Sequence, residues 1–244
     1  MSRSVLNLAA LKTLGSVVMR LGRQQRLIVD AALLGVAGAL ASQLFTYLLR
    51  GATWLFQVQL AGYRPPGLPD EGGVLREVIG AHGLWLVPGV VALGGLIVGF
   101  LVQRFAPETE GHGTDTVVHA FHRADGALRA RVTPVKLLAS AITIGSGGSA
   151  GREGPIALAS AGIGSWYARL TGRAGADRRL LLLVGMAAGI AAIFRSPVGA
   201  ALFAIEVLYA DMEFESAALL PAMLASVVAY ALNGLAEPES KERM

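Results

Sequence analysis

The sequence has no cysteine, and charged residues make up only 16% of its 244 positions. Without cysteine there can be no disulfide framework, thiolate metal site, cysteine nucleophile or thiol redox switch. Soluble domains carry about 25% charged residues, so this chain has too little charge to coat a water-exposed surface. Hydrophobic residues make up 54% of the chain and the mean hydropathy is +0.56. This composition excludes disorder and indicates a membrane protein.

Two long apolar runs, residues 27–49 and 84–102, are predicted to cross a bilayer as helices. A rise of about 1.5 Å per residue lets each run span a hydrocarbon core of roughly 30 Å. Short, broken apolar helices in series are typical of transport proteins whose helices end at mid-membrane. The sequence therefore predicts an all-α integral membrane protein, with a helical bundle in water as the alternative. The shorter or interrupted apolar stretches are 135–144, 156–170, 180–194, 198–209 and 217–235.

Charge divides the chain into three predicted parts. Residues 1–26 contain five basic residues and no acidic one, which predicts a cytoplasmic N-terminal segment and an uncleaved anchor flank. Residues 27–235 form the membrane domain, in which the loop 51–83 should lie outside the cell, and residues 236–244 form a polar tail. The net charge of +4 fits basic residues beside membrane lipid, and no nucleic-acid partner is expected.

The glycine-rich stretch GSGGSAGREGP, residues 145–155, predicts an anion site at the start of a helix. Pro155 suits the first turn of a helix, which should begin at about Gly154. The first N–H groups there have no intrahelical partner, and the helix dipole is positive. The carboxylate of Glu153 can occupy the anion's place and leave it on protonation or rotation, so Glu153 is the predicted gate. The alternative is that Glu153 only stabilises the helix dipole. This predicted anion loop consists of Gly151, Arg152, Gly154 and Pro155.

A similar arrangement lies upstream, where the letters GHGTD precede a short segment at 116–122. Thr114 or Asp115 could cap that helix. If the two helix N-termini converge, peptide dipoles alone would hold an anion. No buried cation is expected there, because a buried lysine or arginine would hold an anion too tightly to let it pass. This second predicted anion loop consists of Gly111, His112, Gly113, Thr114 and Asp115.

Three other patterns overlap these stretches. G-x-G-x-x-A beginning at Gly145 matches a dinucleotide fingerprint, but no βαβ context or later acidic residue supports it. G-x-S-x-G around Ser149 matches a nucleophile elbow, which needs a strand–turn–helix context. A zinc site is the third possibility, although a polar helix end is the favoured interpretation. We therefore predict no enzyme activity, metal or cofactor. The candidate bases and ligands are His82, Glu110, His112, Asp115, His119 and His122.

These stretches resemble the CLC family of chloride channels and transporters. GSGGSAGREGP is similar to the family's GREGP motif, and GHGTD stands in the place of its GSGIP motif. FRSPVGAALFAIE, at 194–206, resembles the family's FNAPLAGxLFxIE stretch. The resemblance covers roughly residues 28–235 and implies one inverted-repeat half of a CLC-type fold, with the second half missing. It also implies a homodimer that conducts chloride or a similar small anion across the cell membrane, as a voltage-gated channel or a transporter.

The resemblance implies roles for particular residues. Glu153 matches the gating glutamate, and the amides around Arg152 and Gly154 match the outer anion site. His112 replaces a serine or proline that touches the central anion. Because Asp115 also replaces a proline, the anion preference stays open.

Proton coupling is a separate question. Glu206 is a candidate for the proton pathway or for an ion pair with Arg195. Val207 stands where proton-coupled members carry glutamate, which resembles the channel branch. The alternatives to a channel are a Cl⁻/H⁺ exchanger and a non-conducting half-domain subunit that needs a partner chain.

Overall fold

The computed structural model describes residues 22–66, 78–80, 84–209 and 216–236. In these residues eight α-helices account for most of the structure, which confirms the predicted all-α fold. Their bounds are α1 Arg23–Thr53, α2 Leu86–Phe105, α3 Thr114–Arg123, α4 Val132–Gly145, α5 Glu153–Leu170, α6 Gly175–Phe194, α7 Pro197–Leu208 and α8 Ser216–Ala236. Most of the predicted N-terminal segment 1–26, and the predicted tail 236–244 beyond Ala236, lie outside the described residues.

The first helix is longer than the apolar run 27–49 predicted. A π-helical stretch, Trp54–Leu60, continues α1 directly. The predicted loop 51–83 is therefore wrong for residues 51–60, because the apolar sequence continues past Gly51 and a single glycine does not stop a helix. Beyond it, the two-residue strands β1 Tyr63–Arg64 and β2 Val78–Ile79 pair antiparallel. Residues 67–77 and 81–83 of that loop lie outside the described part of the chain.

In the part of the chain that the structure describes, three helical segments are long and apolar enough to cross a membrane: Arg23–Leu60, Leu86–Phe105 and Ala218–Leu235. The middle one, α2, lies at the edge of the domain, since only Val90 and Gly94 along it are buried. Its exposed side chains include Leu96 and Phe100. An apolar helix that exposes its large side chains suits a lipid environment better than water.

Helix α6 forms the centre of the domain. Every residue from Leu180 to Ala192 is buried, and α1, α5, α7 and α8 all pack against it. Small residues allow these contacts: a Cβ on Gly185 would lie 2.5 Å from the Ser160 carbonyl oxygen of α5, and a Cβ on Gly38 of α1 would lie 2.7 Å from the Ala188 Cβ. Close backbone approach of this kind is typical of helix packing in membranes. It fixes α5, and with it the predicted gate residue, against a rigid core.

A buried ion pair joins α1 to the end of α5. Asp30, which is fully buried, pairs with Arg173 in the α5–α6 connection. Tyr167 of α5 donates its hydroxyl to Asp30 Oδ1 at 2.6 Å. A buried carboxylate is tolerated when it is both paired and hydrogen-bonded. In sequence Asp30 only interrupts an apolar run, whereas in the fold it holds together segments more than a hundred residues apart.

Replacing Tyr167 by phenylalanine is expected to lower the free energy of unfolding by about 1–3 kcal/mol, because the buried Asp30 carboxylate loses a donor. Tyr47→Phe on α1 is the matched control, since Tyr47 is 66% exposed and should change stability very little. SDS-induced unfolding of the purified proteins in detergent micelles measures both changes. Equal losses in the two variants would contradict the assigned role of the Tyr167 hydroxyl.

Candidate functional site

The N-termini of α3 and α5 meet in the structure. A Cβ on Gly113 would lie 3.1 Å from the Gly154 carbonyl oxygen and 3.2 Å from Leu158 Cβ. A Cβ on Gly154 would lie 2.6 Å from His112 Nδ1 and even closer to the His112 carbonyl oxygen. No described side chain caps either helix. The first N–H groups of both helices, and the positive ends of both dipoles, therefore lie side by side.

The start of α3 differs from the prediction in one respect. Gly113, and not Thr114 or Asp115, is the N-cap residue, with a left-handed φ of 112°. Glycine adopts this conformation without strain, and its missing Cβ allows contact with α5. The hydroxyl of Thr114 lies 3.2 Å from His112 Nδ1, and Asp115 is exposed. Capping propensity favoured the wrong residue because it ignores the neighbouring helix.

The start of α5 lies close to the predicted position. The helix begins at Glu153, one residue before Gly154, and Pro155 falls in its first turn. Gly154 and Pro155 are buried, Arg152 is partly buried, and Gly151 is exposed. The predicted loop thus has one accessible end and one end packed against the GHGTD stretch.

A cavity of about 640 Å³ adjoins both helix starts. Gly111 and His112 line it from the first loop, and Gly151 and Pro155 line it from the second. Helices α2 and α4 complete the wall. The cavity is large enough for a small hydrated anion, and N–H and O–H donors around it could replace part of that hydration shell. Its other polar lining residues are Gln103, Thr109, Glu110, Lys136, Ser140, Thr143 and Ser149.

Lys136 is the residue that sequence reasoning missed. It lies on α4 with only 4% of its surface exposed, and its ammonium donates to the Thr109 carbonyl at 3.0 Å and to the Gly111 carbonyl at 2.7 Å. The prediction that no cation is buried at this place is therefore wrong. The signal was present as a single lysine in the apolar stretch 135–144, because an ionisable residue inside a membrane segment is by default a functional candidate.

Glu153 faces a second, smaller cavity of about 280 Å³. Its carboxylate folds back over Gly151, where an added Cβ would overlap Glu153 Oε2. Arg152 and Gln57 line this cavity as well, whereas Ala150 and Gly151 line both cavities. The two spaces are thus separated by a short piece of the glycine-rich loop, and Glu153 stands beside that partition.

The remaining candidates lie elsewhere. Glu206 is exposed on α7, next to the exposed apolar side chains Leu202 and Phe203, and Val207 is partly buried. His119 and His122 are exposed on α3.

Within the described ranges no three His, Asp or Glu side chains gather as a metal site would require. Helix α4 ends at Gly145 and lies before Ser149, so the strand required by the dinucleotide fingerprint and by the nucleophile elbow is not there. His82 lies outside the described residues.

Broken apolar helices that present their N-termini to a shared cavity define an integral membrane protein of the transport class. The family model described as voltage gated chloride channel matches residues 94–240, which is more than half of the chain. The chain belongs to this family, and the resemblance inferred from the three motifs is confirmed.

Relatives of known name agree with this assignment. The voltage-gated ClC-type chloride channel ClcB of Escherichia coli O81 is 31% identical over 214 residues, an alignment that covers 86% of this chain and 47% of ClcB. The H⁺/Cl⁻ exchange transporter ClcA of Cronobacter sakazakii is 33% identical over 185 residues, covering 74% of this chain and 36% of ClcA. The crystal structure of a CLC-type fluoride/proton antiporter shares the fold, with a TM-score of 0.67 at 24% identity, over 88% of this chain and 47% of that one. The chain spans less than half the length of each of these relatives.

Proposed function

We propose that residues 27–235 form one part of an anion pathway that conducts chloride or a similar small anion across the cell membrane. The observation that carries this proposal is the contact between His112 and Gly154, which sets two helix N-termini at the edge of one cavity. Helix N-termini bind anions through N–H groups that have no intrahelical partner. The named relatives, a chloride channel and a proton–chloride exchanger, support the same substrate class.

The anion ligands in this proposal are mostly backbone groups. Amides of residues 111–115 and 151–155 and hydroxyls around the larger cavity replace part of the hydration shell of the anion. His112 can add an N–H donor to this set. Lys136 adds a positive potential, part of which its two carbonyl acceptors offset, so the anion is attracted but can still leave.

Glu153 is the proposed gate. Its side chain lies beside the partition between the two cavities. A small rotation would therefore carry the carboxylate towards the two helix N-termini, where we propose that the anion binds. A carboxylate in that place competes with the anion, whereas a neutral carboxyl does not. Protonation of Glu153 should therefore open the pathway.

Two alternatives remain within the same family. A Cl⁻/H⁺ exchanger would need a route for protons, for which Glu206 is the candidate, although Val207 favours a channel. A non-conducting subunit would supply the anion loops to a partner chain that carries the rest of the pathway. We also propose a cytoplasmic N-terminus, a homodimer and transport without covalent chemistry.

Reconstitution into liposomes separates these possibilities. The purified chain is placed in chloride-loaded vesicles, and chloride and proton release are recorded after addition of valinomycin. Chloride release without proton movement is expected for a channel, and coupled proton movement would identify an exchanger. A folded protein that releases neither ion would rule out conduction by this chain alone and support the subunit alternative.

A further inference from the structure

Gln57 has a buried amide oxygen that has no hydrogen-bond partner among the described residues. It lies in the π-helical stretch Trp54–Leu60 with 8% of its surface exposed, and its Oε1 accepts no hydrogen bond within the part of the chain that the structure describes. An unsatisfied buried acceptor is unfavourable, because burial removes the water that would otherwise donate to it. π-Helical segments are rare and occur frequently at functional sites. Both features indicate that Gln57 is held in place for a donor that arrives from elsewhere.

The cavity of about 280 Å³ is lined by both Gln57 and Glu153, which makes the Glu153 carboxyl the candidate donor. An ionised carboxylate only accepts hydrogen bonds, whereas a protonated carboxyl carries one O–H donor. An amide oxygen can therefore pair with Glu153 only in its neutral form. The Nε2 side of the amide lies towards Gly147, 3.6 Å from where a Cβ on that residue would stand.

We propose that Gln57 accepts a hydrogen bond from protonated Glu153 and so holds the neutral side chain in the smaller cavity, away from the anion. This inference rests on the proposed gating role of Glu153. The smaller cavity is then the resting place of the open gate, and Gln57 is a positioning residue that stabilises it. Removing the acceptor disfavours the protonated state, so a lower pH is needed to open the pathway.

Other charged groups around Glu153 stay unchanged in the test. Arg152 lines the same cavity. Across the partition, Glu110, His112 and Lys136 line the larger cavity. Arg64 precedes Pro65 and Pro66, which line another part of the smaller cavity. Because Gln57 is uncharged, replacing it removes the hydrogen bond without changing any of these charges.

The test compares Gln57→Leu with Gln59→Leu. Both glutamines belong to the same π-helical stretch, but Gln59 is exposed and does not line the cavity, so it serves as the matched control. Infrared difference spectroscopy follows the protonated-carboxyl band of the purified full chain as a function of pH. The band that disappears in Glu153→Gln identifies Glu153. Chloride flux from liposomes is measured over the same pH range.

Gln57→Leu is expected to lower the midpoint of the Glu153 titration by about 0.5–1 pH unit, the effect of one lost hydrogen bond, and to shift the carbonyl band to higher frequency. Gln59→Leu should leave both unchanged. An unchanged or a raised midpoint in Gln57→Leu would overturn the inference. If the spectroscopic shift occurs while no variant conducts, the Gln57–Glu153 pair stands and the proposal of conduction fails.

Discussion

Replacing Glu153 by glutamine is expected to make chloride flux independent of pH and to raise it about tenfold or more at neutral pH. A glutamine side chain is neutral at every pH and cannot compete as a carboxylate for two helix N-termini. The interaction of a partly buried carboxylate with a helix N-terminus reaches about 2 kcal/mol, and 1.4 kcal/mol already corresponds to a factor of ten. Efflux from chloride-loaded liposomes between acidic and neutral pH measures the effect directly.

Asp177→Asn is the matched control for Glu153→Gln. Asp177 also lies in the first turn of a helix, α6, but it faces Arg23 at the surface, 3.4 Å away. Its neutralisation should leave the pH profile of the flux unchanged. If Glu153→Gln keeps the wild-type pH profile and only lowers stability slightly, Glu153 merely stabilises the helix dipole and the gate must lie elsewhere.

Replacing Lys136 by methionine is expected to weaken chloride binding about 30–150-fold. The ammonium is the buried positive charge on the wall of the larger cavity, and at an effective dielectric constant of about 20 a unit charge several ångströms away contributes roughly 2–3 kcal/mol. The same ammonium tethers the loop through the carbonyls of Thr109 and Gly111. Isothermal titration of the purified protein with chloride measures the affinity.

The Lys136→Gln variant separates the effect of the positive charge from the effect of the hydrogen bonds that hold the loop. Glutamine can still donate to a loop carbonyl but carries no charge, so an electrostatic role predicts the same loss in both variants. A tethering role predicts that glutamine preserves most of the affinity. Arg104→Met, which removes an exposed charge at the end of α2, is the control and should not change binding. Wild-type affinity in Lys136→Met would exclude Lys136 from the anion site.

The two predicted anion loops illustrate what local sequence can and cannot predict. Pro155 indicated the start of α5 to within one residue, because the requirements of a first helical turn are local. The cap of α3 was assigned wrongly because Gly113 is selected by its contact with Gly154 and Leu158, which no local preference encodes. The contact between the loops depends on the packing of α5 against α6, and therefore on the whole domain.

The buried polar groups were beyond sequence reasoning for a related reason. Lys136 was visible as a lysine in an apolar run, but its two carbonyl acceptors come from a different loop. Gln57 gave no signal, because a π-helix and a shared cavity with Glu153 exist only in the folded chain. Asp30 meets Arg173 across 143 positions of sequence. The partners of Lys136 and Asp30 satisfy groups that burial has desolvated, and only the packed fold decides which groups are buried together.

By itself, the sequence determined the membrane environment, the helical class, the family and the two glycine-rich stretches, because apolar length, charge bias and glycine–proline placement act locally along the chain. The tertiary structure alone decided that the two stretches touch, that a lysine stands beside them and that Glu153 faces a cavity of its own. These features depend on which surfaces meet when α6 is enclosed by its neighbours, and contacts between residues distant in the chain are not contained in any local pattern.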